Sequence, residues 1–144
     1  MTCAFCDDGA IKNRVILEND LAFAFPTESP ITPGHTLICP KRHVAISDVL
    51  TKDEIIALFA LKSTIAKALH KALGAEGFNY AWNEAEIAGQ SVPHVHLHVV
   101  PRTKGDTGIY EYEPRQFLYR PGTRKISKQE ELEEVAATIR HYAV

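Results

Sequence analysis

The sequence predicts an α+β fold in which an antiparallel sheet of about five strands carries a long helix and a C-terminal helix. Three observations lead there. Residues 14–18 and 21–25 are two β-rich runs separated by Asn19-Asp20, the signature of an antiparallel hairpin. Strand-like and helix-like segments do not alternate, which excludes a doubly wound parallel sheet. Thr51-Lys52-Asp53-Glu54 is a capping box, opening a helix far longer than any other in the chain.

After the hairpin, Pro26 to Gly34 carries three prolines and a glycine and reads as a loop. Thr36 to Cys39 is a strand closed by Pro40, and residues 46–50 form a short helix. The long helix covers about 52–73, with Ile55, Ile56, Leu58, Phe59, Ile65 and Leu69 as its buried face and Gly74 as C-cap. Phe78 to Trp82 is a strand, 84–93 a loop, and His94 to Val100 the central strand. Residues 103–125 are irregular. A second capping box, Ser127-Lys128-Gln129-Glu130, opens a C-terminal helix presenting Leu132, Val135, Ala136 and Ile139. The 144 residues are expected to form one domain, with a core over about 3–110 and an irregular segment plus helix over 111–144.

Composition narrows the function by exclusion. A net charge of −2 argues against a nucleic-acid backbone binder. No apolar run approaches a membrane span, and the N-terminus lacks the pattern of a signal peptide, so a soluble cytoplasmic protein is expected. Three cysteines, an odd number, make a disulfide framework unexpected.

The chemistry concentrates in Pro93-His94-Val95-His96-Leu97-His98-Val99-Val100. Successive side chains of a strand point to opposite faces, so the three imidazoles share one face, roughly 7 Å apart at about 3.3 Å rise per residue. Val95, Leu97 and Val99 face the core. Three readings compete: a run of core histidines, a three-histidine metal site with an open position, and a histidine nucleophile flanked by helper imidazoles. The absence of Asp and Glu beside the row weighs against the metal site, and the third reading is favoured.

Cys3-Ala4-Phe5-Cys6 is a CxxC pair without the βαβ context of a redox motif. It is either two unrelated buried thiols or half of a zinc site, for which His43 and His94 offer the other two ligands. Such a closed Cys2His2 site is structural. His35, in Pro33-Gly34-His35, is either solvated or a hydrogen-bond partner that fixes the tautomer of a strand imidazole. Gln90 and Ser91 are turn residues or small donors, with nearby backbone N–H groups, to an anionic oxygen.

Gly34-His35-(x)3-Cys39-Pro40, followed by Gly89-Gln90-Ser91-Val92-Pro93 and the His-φ-His-φ-His-φ-φ run (φ hydrophobic), resembles the histidine triad (HIT) superfamily over about residues 3–110. Pro101-Arg102 and Ile109-Tyr110-Glu111 resemble its fragile-histidine-triad branch and the zinc-bearing bacterial members, whereas Ser91 resembles the phosphoramidase branch. The resemblance implies a nucleotide hydrolase acting on dinucleoside polyphosphates or related conjugates. In that chemistry His96 attacks the α-phosphorus and His98 contacts phosphate and bridging oxygens. Asn83 and Gln90 orient phosphate oxygens, Ser91 assists the leaving group, and His35 supports the row from behind.

The resemblance also implies one structural zinc per chain on Cys3, Cys6, His43 and His94, and no cofactor for the chemistry. Phe5, Ile11 and Leu37 are the implied base pocket for a purine nucleotide or dinucleotide. The ribose-binding Asp of many relatives is missing, leaving Thr27 or Glu28 at a shifted position. A homodimer is implied, joining two sheets through the long helix and the 78–82 edge strand. A purine nucleoside phosphoramidase and a nucleotide sensor or scaffold with incidental turnover are the alternatives. A nucleotidyltransferase is disfavoured, because such relatives carry Gln where this chain has His98.

Overall fold

A computed structural model describes residues 2–106 and 125–143. Two single-turn helices, α1 (Ala4–Asp7) and α2 (Gly9–Lys12), precede the hairpin of β1 (Leu17–Glu18) and β2 (Ala22–Pro26). Then follow β3 (Thr36–Pro40), a 3-10 turn at Ser47–Val49, α3 (Lys52–Leu73) and β4 (Gly77–Ala81). A second 3-10 turn at Glu86–Ala88, β5 (Leu97–Arg102) and α4 (Gln129–Tyr142) complete the order. The sheet is antiparallel throughout, in the order β1-β2-β3-β5-β4. The expected α+β architecture is observed; Ile109-Tyr110-Glu111 and most of the 103–125 segment lie outside the described residues.

Strand alternation gives the sheet two different faces. Ala24, Ile38, Leu97 and Val99 point to one side, where α3 supplies Leu58, Leu61, Ile65, Ala68 and Leu69 and α4 supplies Ala136 and Ile139. Phe25, Leu37 and Cys39 point to the other, beside Ile11 of α2, with Phe5 of α1 packed against them. The register sets Phe25 opposite Leu37 and Leu37 opposite His98, so one row of side chains crosses three strands on that second face.

Several local expectations are corrected. The strand expected over 14–18 is regular only at Leu17–Glu18, and the hairpin turn sits one residue later than expected. Asn19 N–H bonds Ala22 O, while its side-chain oxygen accepts from Leu21 and Ala22 N–H, so Asn19 closes the turn from outside it. The short helix expected over 46–50 is a 3-10 turn. The C-terminal capping box does not form: Ser127 N–H bonds Glu28 O, and Lys128 becomes the N-cap without a side-chain bond. On α3, Ile55, Ile56 and Phe59 are 43%, 66% and 52% exposed, not buried. The helix carries two apolar stripes, and the sheet covers only the one through Leu58, Leu61 and Ile65.

The α3 capping box is complete, with Thr51 Oγ1 accepting from Glu54 N–H at 3.1 Å and Glu54 Oε1 accepting from Thr51 N–H at 3.0 Å. Arg42 adds a two-point contact to the same carboxylate, at 2.8 and 3.3 Å. The side-chain hydrogen bond from Arg42 is the leading cause that holds the Glu54 carboxyl below the ordinary carboxylate range. Its contribution is therefore present above the unfolded carboxyl pKa, about 4.3, and is lost as pH falls through the lower folded value. Glu54→Gln is expected to cost about 1 kcal/mol at neutral pH. In thermal melts across pH, the gap to wild type closes in acid; a gap independent of pH would contradict this account.

Candidate active site

The histidine run is not one uniform strand. β5 begins at Leu97, three residues after the expected start at His94. His94 N–H closes a tight turn onto Val92 O at 2.8 Å, and Val95 N–H bonds Val44 O at 2.7 Å instead of joining the β3 ladder. Alternation nevertheless persists in the side chains: Val95, Leu97 and Val99 are buried toward the core. The His96 and His98 rings stand 5.1 Å apart, centroid to centroid. His94 turns toward a different set of neighbours.

Those neighbours are Cys3, Cys6 and His43, and the four candidate ligand atoms all lie within 4.8 Å of one another. Cys3 Sγ and Cys6 Sγ lie 3.6 and 3.5 Å from His94 Nδ1, and Cys6 Sγ lies 3.7 Å from His43 Nδ1. Zinc bonds of about 2.1 Å to nitrogen and 2.3 Å to sulfur, at the tetrahedral angle, set an S···N edge of about 3.6 Å. The donor set fits that ion. Helix α1 makes the CxxC spacing work, since one helical turn brings residues three apart onto one side. On the far side of the ring, His94 Nε2–H donates to Pro40 O at 2.7 Å, leaving Nδ1 as the lone-pair atom, the outer-sphere arrangement of a metal-ligating histidine. Burial, followed by the neighbouring Cys3, pushes the Cys6 thiol up to about 11. A dication at the centre reverses that preference by stabilising thiolate. All three cysteines are free thiols.

The other imidazoles form a second hydrogen-bonded set whose tautomers follow from their partners. His96 Nδ1–H donates to its own chain at His94 O, 2.8 Å away, so Nε2 carries the lone pair. Burial lowers its pKa and the carbonyl bond opposes that only in part, so His96 is neutral near pH 7. His35 Nδ1 accepts from Ile31 N–H at 3.0 Å, which places its proton on Nε2. His35 Nε2–H then donates to His98 Nδ1 at 2.9 Å, and the proton of neutral His98 resides on Nε2. One backbone amide thus determines the donor that His98 offers.

His96 and His98 line a cleft on the second face of the sheet together with Phe5, Ile11, Leu37, Thr27, Glu28 and Ser91. Eight of the residues singled out from sequence therefore converge on one cavity. Phe5 packs edge-on against both His96 and Phe25, at 5.0 and 5.4 Å. Asn83 and Gln90 are not brought into this cleft. Gln90 uses both ends of its amide on backbone: Oε1 accepts from Ala85 N–H and Nε2 donates to Ala45 O, each at 2.9 Å. Asn83 Nδ2 reaches Gly89 O at 3.4 Å. Both side chains brace the loop that leads to Ser91. Ala85 there adopts a positive φ of 70°, unusual for a residue with a Cβ, and its N–H is one of the groups that Gln90 holds.

Sequence reasoning missed Phe25 and Arg14 in the cleft wall. Phe25 was legible in principle, because pairing the second strand with the third sets it beside Leu37. Arg14 carried no such signal, being the first residue of an expected strand.

The match to known proteins extends over fold and site alike. A zinc-bound histidine triad family protein of Mycobacterium smegmatis superposes with a TM-score of 0.76 at 30% identity, over 99% of this chain and 94% of that one. A bis(5'-adenosyl)-triphosphatase of Dictyostelium discoideum is 30% identical over 131 residues, covering 90% of this chain and 85% of the relative. An adenosine 5'-monophosphoramidase of Schizosaccharomyces pombe is 33% identical over 111 residues, covering 76% and 80%. The arrangement is that of an α+β protein with a row of imidazoles along one strand. The profile of the HIT domain matches residues 8–105, and the chain belongs to the HIT family.

The tautomers are directly measurable. Long-range 15N–1H correlation at neutral pH is expected to show His96 protonated on Nδ1, and His35 and His98 on Nε2. An Nε2–H tautomer at His96 would contradict the assignment.

Proposed function

We propose that this chain is a HIT-type nucleotide hydrolase that cleaves at the α-phosphate of dinucleoside polyphosphates or related nucleotide conjugates. The observation that carries the reading is the His96 tautomer: a neutral imidazole, its Nδ1–H tied to a carbonyl and its Nε2 lone pair held in the wall of a cleft. In the proposed reaction Nε2 attacks the α-phosphorus while the bond from that phosphorus to the bridging oxygen breaks, and the remaining phosphate chain departs. Water then attacks the phosphorus of the nucleotidyl-imidazole. The P–N bond breaks, a nucleoside monophosphate leaves and the lone pair returns to Nε2.

His98 Nε2–H serves as donor to the phosphate or bridging oxygen, positioned by His35. Ser91, at the cleft, assists the leaving group. Thr27, buried in the cleft wall, meets the ribose, and Phe5, Ile11 and Leu37 hold the base. For Asn83 and Gln90 the hydrogen bonds support a bracing part in place of direct phosphate contact. Cleavage of a P–N bond, suggested by the fission-yeast monophosphoramidase relative, is a second reading, favoured by Ser91 in the same cleft as His96.

Cys3, Cys6, His43 and His94 are the proposed ligands of one structural zinc. All four positions are protein atoms, so the ion has no open position for substrate. It supplies a cross-link between the N-terminal segment and the body of the fold. The entire chain is proposed to act as one domain in the cytoplasm, where thiol ligands stay reduced. A second copy is the proposed cover for the exposed apolar stripe of α3 and the edge strand β4, where Ile55, Phe59, Tyr80 and Trp82 are exposed. Among the described residues no helix is long and apolar enough to cross a membrane.

His96→Ala is expected to lower kcat on diadenosine tri- or tetraphosphate by more than about a thousandfold, with nucleotide binding retained. Near-normal turnover by that variant sinks the reading, and rates on an adenosine phosphoramidate run alongside decide between the two activities. Metal analysis is expected to find one zinc per chain. Cys3→Ser should lower both the zinc content and the melting temperature, and metal-free native protein would refute the site.

A further inference from the structure

Arg14 is 4% exposed, yet only two of its five N–H groups have acceptors among the described residues. Nε–H donates to Pro26 O and one Nη1–H to Gln129 Oε1 of α4, both at 3.0 Å. Arg14 is part of the cleft wall, and its remaining Nη1–H and both Nη2–H groups have no acceptor among the described residues. A buried donor without an acceptor is costly, and such a group in a binding cleft points to a ligand.

Its place in the cleft identifies which part of the ligand it meets. The row His98, Leu37, Phe25 crosses three neighbouring strands, about 10 Å in all at the usual strand spacing. The Arg14 guanidinium carbon lies over the Phe25 ring, 5.6 Å from its centroid, at the Phe25 end of that row. With phosphorus at His96, a nucleotide laid along that row passes its ribose and puts the outer edge of its base at Arg14. Glu28 lines the same end of the cleft, exposed, with no hydrogen bond or ion pair to its carboxylate among the described residues. Glu28 is near enough to Arg14 to attract it without an ion-pair contact, so that part of the cleft offers adjacent donors and an acceptor together.

We propose that Arg14 and Glu28 make this a site for 6-oxopurine nucleotides, guanosine in preference to adenosine. This inference rests on the nucleotide-hydrolase reading of the cleft. Guanine presents two neighbouring acceptors, O6 and N7, the pair that an arginine fork binds with two hydrogen bonds. Its N1–H and N2 amino group are donors suited to the Glu28 carboxylate. Adenine replaces O6 by an amino donor, which sets N–H against N–H at the guanidinium. Gln129 and Pro26 hold the guanidinium in place, so the discrimination needs no rearrangement of the wall.

The test uses nucleoside monophosphates, which bind without turnover, titrated calorimetrically into the full chain. GMP is expected to bind about tenfold or more tightly than AMP, with IMP close to GMP because it keeps O6 and N7. Arg14→Gln should bring GMP down to the affinity of AMP. Because that variant also loses bonds to Pro26 and Gln129, Glu28→Gln, on an exposed side chain, is the second probe; it should weaken GMP more than IMP. Equal binding of GMP and AMP overturns the inference and leaves the hydrolase reading standing. A GMP preference that survives both substitutions overturns it as well. Failure of all three nucleotides to bind removes the nucleotide site itself, and both readings with it.

Discussion

The hydrogen bond from His96 Nδ1 to the carbonyl of His94 is the contact on which the site depends. It decides which ring nitrogen keeps the lone pair, and it can form only if the His94 peptide holds one orientation. That orientation is secured on the far side, where the His94 ring is clamped between Pro40 O and the two thiols. The thiol–imidazole cluster and the proposed nucleophile, two residues apart, are thus linked through one peptide unit. The irregular lead-in to β5 follows from the same constraint, because the chain leaves the ladder with β3 to bond Val44 and bring His94 beside His43.

The N-terminal segment serves both halves of this arrangement. Cys3 and Cys6 bracket Phe5 on one turn of α1, and Phe5 packs on the His96 ring and on Phe25. The proposed cross-link at the cysteines would therefore also seat the aromatic wall beside His96. His35 plays a comparable part for His98, with Ile31 N–H setting the first tautomer in the relay. The three imidazoles share one short stretch of sequence, and their neighbours in space separate them into three chemical parts.

What could be read from sequence was whatever rests on local periodicity or on a local hydrogen bond. Alternation placed Val95, Leu97 and Val99 in the core, and the Thr51–Glu54 box began α3 where expected, because each depends on residues within a few positions. Helices α1 and α2 were not legible, since a single turn has little intrinsic stability and is maintained by docking. Ile55, Ile56 and Phe59 look like core residues in any helical projection, and only the sheet's position reveals that their stripe is exposed. The family resemblance implies a phosphate contact for Gln90, whereas the partners of its amide at Ala45 and Ala85 are backbone groups with no sequence signature. The Ser127 box failed for a similar reason: the N–H that it needs for the Glu130 carboxylate is taken by the backbone carbonyl of Glu28, distant in sequence.

A double displacement at His96 is the central claim, and the configuration at phosphorus tests it most directly. A dinucleoside polyphosphate made chiral at the α-phosphorus with sulfur is hydrolysed in 18O-labelled water, and the configuration of the released nucleoside phosphorothioate is determined. Two in-line displacements, by imidazole and then by water, predict net retention. Inversion would mean that water attacks phosphorus directly and would contradict the account.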